Sequence, residues 1–287
     1  MKKLVLLSLI LIVFYGCSSV PITGRRQLNL VSDQEVLTLS LQQYDDFIKT
    51  AKKSTDATAT AMVTRVGSKI ADAVQAYYKS VGQEDALSGY AWEFNLVDDP
   101  QVNAFCMPGG KIVVYSGILP VTQDETGLAV VLGHEVAHAV AKHANERMSQ
   151  QMLAQYGAAG VGSILSKSSS TVQTIGQSVF GLGAQYGALL PFSRQQESEA
   201  DHLGLIFMAI AGYKPEAALP FWQRMSQQGS AAPEFMSTHP SDNTRIAQIQ
   251  KEIPEAMQYY TSIWGNKGNT NTTTPAKTTN TNNTWHF

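Results

Sequence analysis

The sequence predicts a mainly helical domain with a small β-sheet, an α+β fold. Three observations lead there. Apolar residues recur at helical spacing through most of the stretch 28–264, two short stretches alternate as strands do, and neither end of the chain carries either pattern. The 287 residues, 44% of them hydrophobic, leave a middle long enough to close one core.

Residues 1–16 read as a signal peptide. Met1-Lys2-Lys3 is basic, and the largely apolar run Leu4 to Phe14 is too short to cross a bilayer as a permanent helix. It ends at Gly16-Cys17, a junction of small residue and cysteine that lipoprotein processing uses, so Cys17 is the expected lipidated N-terminus. Residues 17–27 then form a lipidated linker and 28–264 the folded domain. Residues 265–287 are an Asn/Thr-rich tail with too little apolar surface to offset its ordering entropy, and disorder is expected there. With Cys17 given to lipid, Cys106 is alone and no disulfide can form within the chain. Loss of Lys2 and Lys3 leaves 19 basic against 23 acidic residues, a charge of −4, with no basic stripe for nucleic acid.

Within the domain, Ser32-Asp33-Gln34-Glu35 reads as a capping box for a helix continuing through Leu37, Leu41, Tyr44 and Ile48. Met62, Val66, Ile70, Val74 and Tyr77 then share one face of a second helix. Trp92–Val97 and Lys111–Ser116 alternate as strands, with turn chemistry at Asp98-Asp99-Pro100 and Pro108-Gly109-Gly110. Thr122-Gln123-Asp124-Glu125 reads as another capping box, opening a helix to about Met148. From Gln151 to Leu190 the chain is Gly-, Ser- and Ala-rich, and polar residues break its apolar patches too often for a transmembrane span. Mobile helices and loops over a cleft are expected there. Helices follow at about Arg194–Ala211, ended by Gly212, then Pro215–Gln228 and Asp242–Met257.

The third of these predicted helices carries His134-Glu135-Val136-Ala137-His138. Positions i and i+4 lie above one another on a helix, so His134 and His138 present two zinc ligands on one face. Glu135 follows the first His and reaches the open coordination position, where a carboxylate serves as base to a water. The neighbours Ala129, Val130, Val131, Leu132, Val136, Ala137 and Val140 are apolar, which argues for burial and against a pair of surface histidines. A third ligand is expected from Glu197-Ser198-Glu199-Ala200-Asp201. Glu197 and Asp201 share a helix face, so Glu197 is the expected ligand, Glu199 the runner-up, and Asp201 an acceptor for the far ring N–H of a ligand histidine.

His134–His138 with downstream Glu197 and Asp201 resembles the membrane-associated zinc metallopeptidases that include HtpX, BepA and LoiP. Four more segments agree. Pro21-Ile22-Thr23-Gly24-Arg25-Arg26-Gln27-Leu28 is similar to the start of mature lipoprotein members. Asn103-Ala104-Phe105 with Pro108-Gly109-Gly110 is similar to the family's cleft-edge strand, His143 to its histidine after the motif, and His239-Pro240 with Arg245 to its C-terminal element. The resemblance covers about 21–250 and implies a gluzincin-type, zincin-like metallopeptidase domain with one Zn2+ per chain.

It also implies roles. The edge strand receives substrate as an added β-strand. His239 either donates to the oxyanion or plugs the open zinc position, and the sequence does not choose. Arg245 supports the same loop, and His143, off the ligand face, is structural or supporting. The expected enzyme is a metalloendopeptidase of the bacterial cell envelope acting on unfolded or misassembled envelope proteins, with outer-membrane assembly machinery as a further partner. Ser18 after Cys17 is no inner-membrane retention signal, so the expected address is the outer membrane, facing the periplasm. The alternative is a chaperone or assembly factor with a self-occluded zinc site and little proteolysis.

Overall fold

A computed structural model describes residues 17–20, 23–167, 169–180, 193–227, 235, 239 and 243–265. The expected signal peptide and nearly all of the expected tail lie outside the described residues. The first described element is a hairpin, β1 (Cys17–Ser19) paired antiparallel to β2 (Arg26–Leu28), with Cys17 opposite Leu28. Val20 and Arg25 are buried, so the stretch expected as a linker packs on the body.

Helix α1 (Asp33–Thr50) starts at the expected N-cap, where the Ser32 hydroxyl accepts from Glu35 N–H, the first half of the expected capping box. Helix α2 (Ala57–Ser80) buries Val63, Val66, Ile70, Val74 and Tyr78, the single apolar face that its period implies. Three strands follow, β3 (Glu93–Val97), β4 (Ala104–Met107) and β5 (Lys111–Tyr115). Their order is β3-β5-β4, with β3 parallel and β4 antiparallel to β5. The β4–β5 turn runs through Gly109 and Gly110 at φ of 92° and 80°, left-handed conformations that glycine adopts without strain.

After a short helix α3 (Leu119–Thr122) comes α4 (Glu125–Val140), the motif helix. Two details differ from the sequence reading. The N-cap is Asp124, whose carboxylate accepts from Gly127 N–H at 2.8 Å, while Thr122 ends the preceding turn. The helix also stops at Val140 instead of reaching Met148, because Lys142 adopts φ 59° and the chain turns there into α5 (His143–Lys167). Helix α6 (Ser169–Phe180) follows and packs Val172, Ile175 and Val179 with Leu39 of α1 and Met148 and Met152 of α5. In the stretch 151–190 expected as mobile helices and loops, residues 151–167 and 169–180 are helical with a kink at Gly157 (φ 64°, ψ 171°), while 168 and 181–190 lie outside the described residues.

Helix α7 (Arg194–Ile210) carries the expected acidic residues and opens with a capping box between Ser193 and Gln196. Helices α8 (Ala218–Gln227) and α9 (Asn243–Trp264) complete the domain, α9 running well past the expected end and through Pro254. The core sits between α4 and its neighbours, and Leu128 to Val140 of α4 are all buried. Helices α4 and α7 touch backbone to backbone at Gly133 and Gly204. A Cβ on Gly133 would lie 2.8 Å from the Gly204 carbonyl, and one on Gly204 would lie 2.9 Å from His134 N. Among the described residues no helix is long and apolar enough to cross a membrane.

Candidate metal centre

The glycine contact sets the distance between two polar faces that would otherwise be too costly to bury. Helix α4 contributes His134, Glu135 and His138, and α7 contributes Glu197, Glu199 and Asp201, all buried. His134 Nε2 lies 3.0 Å from His138 Nε2. Glu197 Oε1 lies 3.2 Å from His138 Nε2, and Glu197 Oε2 is 3.6 Å from His134 Nε2. A fourth group arrives from far along the chain. His239 Nδ1 is 2.9 Å from Glu197 Oε1 and 3.1 Å from His134 Nε2.

The hydrogen bonds behind the two α4 histidines decide what these atoms are. His134 Nδ1 faces Asp201 Oδ1 at 2.9 Å; a carboxylate only accepts, so Nδ1 carries the hydrogen and Nε2 a lone pair. His143 Nε2 faces Glu199 Oε2 at 2.9 Å, which leaves His143 Nδ1 to accept from His138 Nδ1–H at 2.8 Å. His138 Nε2 therefore also presents a lone pair. Burial holds the proton affinity of both rings below the usual histidine range, although neighbouring carboxylates oppose it. Two lone pairs and a carboxylate oxygen about 3 Å apart in a dry interior repel one another unless a cation lies among them. A tetrahedron with zinc–ligand bonds of about 2.0–2.1 Å has edges of about 3.3 Å, close to these separations. The residues present fit the metal.

The comparisons agree. The model of peptidase family M48 matches residues 63–253, a span that holds the whole cluster. The chain belongs to peptidase family M48. This M48 chain is a zinc-dependent metalloendopeptidase with a zincin-like fold. It is 36% identical over 249 residues to the mitochondrial metalloendopeptidase OMA1 of Schizosaccharomyces pombe, covering 83% of this chain and 67% of that one. Its identity to the same-named enzyme of Saccharomyces cerevisiae is 30% over 267 residues, 87% of this chain and 75% of that one. With the beta-barrel assembly-enhancing protease of Yersinia pestis it shares 33% over 177 residues, 60% of this chain and 36% of that one. These findings correct the expected outer-membrane address: the two relatives matched along 83% and 87% of this chain are mitochondrial enzymes.

Around the cluster the M48 chain places the other residues singled out in its sequence. Burial lifts the Glu135 carboxyl to about 7, with His239 opposing that rise and Glu197 adding to it. Glu135 Oε1 is buried, accepts no hydrogen bond among the described residues and faces His239 Nε2 at 3.4 Å. The Glu197 carboxyl is held well below its ordinary range, because the neighbouring His239, Arg245 and His134 together outweigh its desolvation. Arg245 of α9 donates from Nε and Nη2 to Asp201 at 2.7 Å each and places Nη1 2.8 Å from Glu197 Oε2. Its guanidinium stacks on Trp222, 3.5 Å from the ring centroid. Glu199, the runner-up, is not among the four residues of the cluster, and its Oε2 lies 2.9 Å from His143 Nε2. Asn103 precedes β4, its side chain accepting from Ala104 N–H at 2.9 Å and its carbonyl from Tyr115 N–H at 3.1 Å. Ala104 and Phe105 lie in β4 itself, the sheet's edge among the described residues, and β4 packs along α4. Cys17 lies in β1, away from the cluster in sequence and in element.

Sequence reasoning assigned no role to Arg25, Thr23, Glu146 or Trp222, all of which support this region. Arg25 stood inside a quoted motif, yet nothing in its spacing links it to a helix more than a hundred residues later.

Proposed function

We propose that this chain cleaves extended, unfolded or misassembled polypeptides, with His134, His138 and Glu197 holding zinc and Glu135 acting as general base. The carrying observation is the convergence of two histidine lone pairs and the Glu197 carboxylate beside the buried Glu135 carboxylate, whose Oε1 faces His239 Nε2 at 3.4 Å. Bound zinc supplies Lewis acidity that makes a water nucleophilic near neutral pH. Glu135 takes the proton of that attacking water and returns it to the leaving amine. Strand β4 binds substrate by its backbone, so the cleaved segment must be extended and its side chains matter little. The name of the Yersinia relative, a beta-barrel assembly-enhancing protease, supports misassembled protein as the substrate class. Attachment to a membrane through acylated Cys17 belongs to the proposal on sequence grounds, and Cys17→Ser should abolish lipid labelling.

His239 separates two states. Its Nδ1 stands within the ligand cluster and its Nε2 before Glu135, where a scissile carbonyl and its water must enter. In our reading this is the closed state, and substrate displaces the ring to a position from which it donates to the oxyanion. The same occlusion favours a second reading, an assembly factor that cuts rarely. Casein digestion with and without a chelator, compared with Glu135→Gln, separates them. Chelator-sensitive cleavage lost in Glu135→Gln supports the peptidase, and binding without cleavage by either protein supports the assembly factor. His239→Ala should raise cleavage of a short unstructured peptide if closure limits the rate, and lower kcat by about 10²–10³-fold if oxyanion donation does.

A further inference from the structure

Behind the cluster lies a set of buried charges that the mechanism above does not use. Arg25, just before β2, donates from Nη1 to Glu146 Oε1 at 2.9 Å and from Nη2 to Glu146 Oε2 at 2.8 Å. Its Nε donates to Glu199 Oε2 at 2.6 Å, and the Thr23 hydroxyl donates to Glu199 Oε1. Glu146 lies in the first turn of α5 and is steadied by Gln196 Nε2 at 2.7 Å. One guanidinium thus ties the N-terminal segment to α5 and α7 at once.

The decisive atom is Glu199 Oε2. It accepts from Arg25 Nε and also from His143 Nε2, and His143 in turn accepts from His138 Nδ1–H. A simple clasp for the hairpin needs no such sharing. We propose that residues 23–25 complete the metal site from behind. Arg25 and Thr23 fix Glu199, and Glu199 holds His143 in the orientation that makes it an acceptor. His143 then keeps His138 in the tautomer that offers Nε2 to the metal. Arg25 is a positioning residue, and the N-terminal segment is part of the site. This rests on the reading of His138 as a ligand.

The test is zinc affinity of the full chain, measured by competition with a chromogenic chelator, together with the visible absorption of the cobalt(II) form. Arg25→Met should weaken zinc binding about 10–100-fold, as loss of a group supporting a ligand histidine does, and should shift the cobalt bands. Arg25→Lys keeps the charge but not the three-way contact, so it should fold and fall between wild type and Arg25→Met. A merely structural clasp would lower the melting temperature with and without metal by the same amount and leave affinity and spectrum unmoved. That result for both variants overturns the inference. His138→Ala distinguishes the two failures. If His138→Ala retains zinc, the ligand reading itself is wrong; if it loses zinc while both Arg25 variants bind as wild type, only the present inference falls.

Discussion

His134 and His138 sit one turn apart on α4, yet the two rings are held very differently. Behind His134 the support is short: Asp201 takes the ring N–H directly, and Arg245 grips Asp201 with two hydrogen bonds. Behind His138 it is long, passing through His143 and Glu199 before it reaches Arg25. Both arms end on an arginine that neutralises a buried carboxylate of α7. They differ in what else the arginine touches, since Arg245 also contacts Glu197 inside the cluster, whereas Arg25 contacts Glu146 outside it. A buried carboxylate so close to a metal site needs a cation behind it, and the fold supplies one to each arm from a different end of the chain.

The largest expected effect lies between the arms. Neither arm touches Glu135, so Glu135→Gln should lower turnover by about 10²–10⁴-fold while zinc stoichiometry and melting temperature hold. Loss of zinc in that variant would mean that Glu135 belongs to the support and not to the chemistry. Next comes the short arm. Arg245→Met leaves Asp201 without its cation in a dry interior and should cost about 3–5 kcal/mol in denaturant unfolding. Its zinc affinity should also fall further than that of Arg25→Met, and equal losses would show that the extra contact with Glu197 is inert.

Both arms depend on the crossing of α4 and α7. Gly204→Ala puts a methyl against His134 N and the Gly133 backbone, which cannot yield as a side-chain end can. A loss of about 1–3 kcal/mol is expected by thermal unfolding, with zinc affinity lowered as the two faces part. The smallest effect concerns Glu252, which belongs to neither arm although the charge of Asp201 reaches it. Burial lifts the Glu252 carboxyl of α9 to about 7, with Gln248 opposing that rise. The folded state then binds more protons than the unfolded state between about 4.5 and 7, so stability falls as pH rises through that window and is constant above it. Glu252→Gln should be neutral at pH 4 and stabilising by roughly 1–2 kcal/mol at pH 8, since solvent still reaches part of the group. A gain that is the same at both pH values would show that packing, not charge, limits this position.

What could be read without the fold was local. The spacing of His134 and His138, and of Glu197 and Asp201, states which side chains share a helix face, because the helical period alone decides it. The apolar run around the motif likewise announced a buried helix, and the α4 core shows it. Short-range features already blurred. No glycine or proline marks the break at Lys142, and the four residues of β4 are too few to show a period. Long-range features were beyond the sequence. Arg25 meets Glu199 across 174 positions and His239 meets His134 across 105, and no pattern along the chain pairs them. The sequence ranked Glu197 above Glu199 by helix face and named His239 and Arg245 by resemblance alone, whereas the distances among them and the two arginine-backed arms were decided only when α4 and α7 crossed at Gly133 and Gly204. Buried charges find their partners through the packing of whole elements, and that packing is a property of the core as a unit.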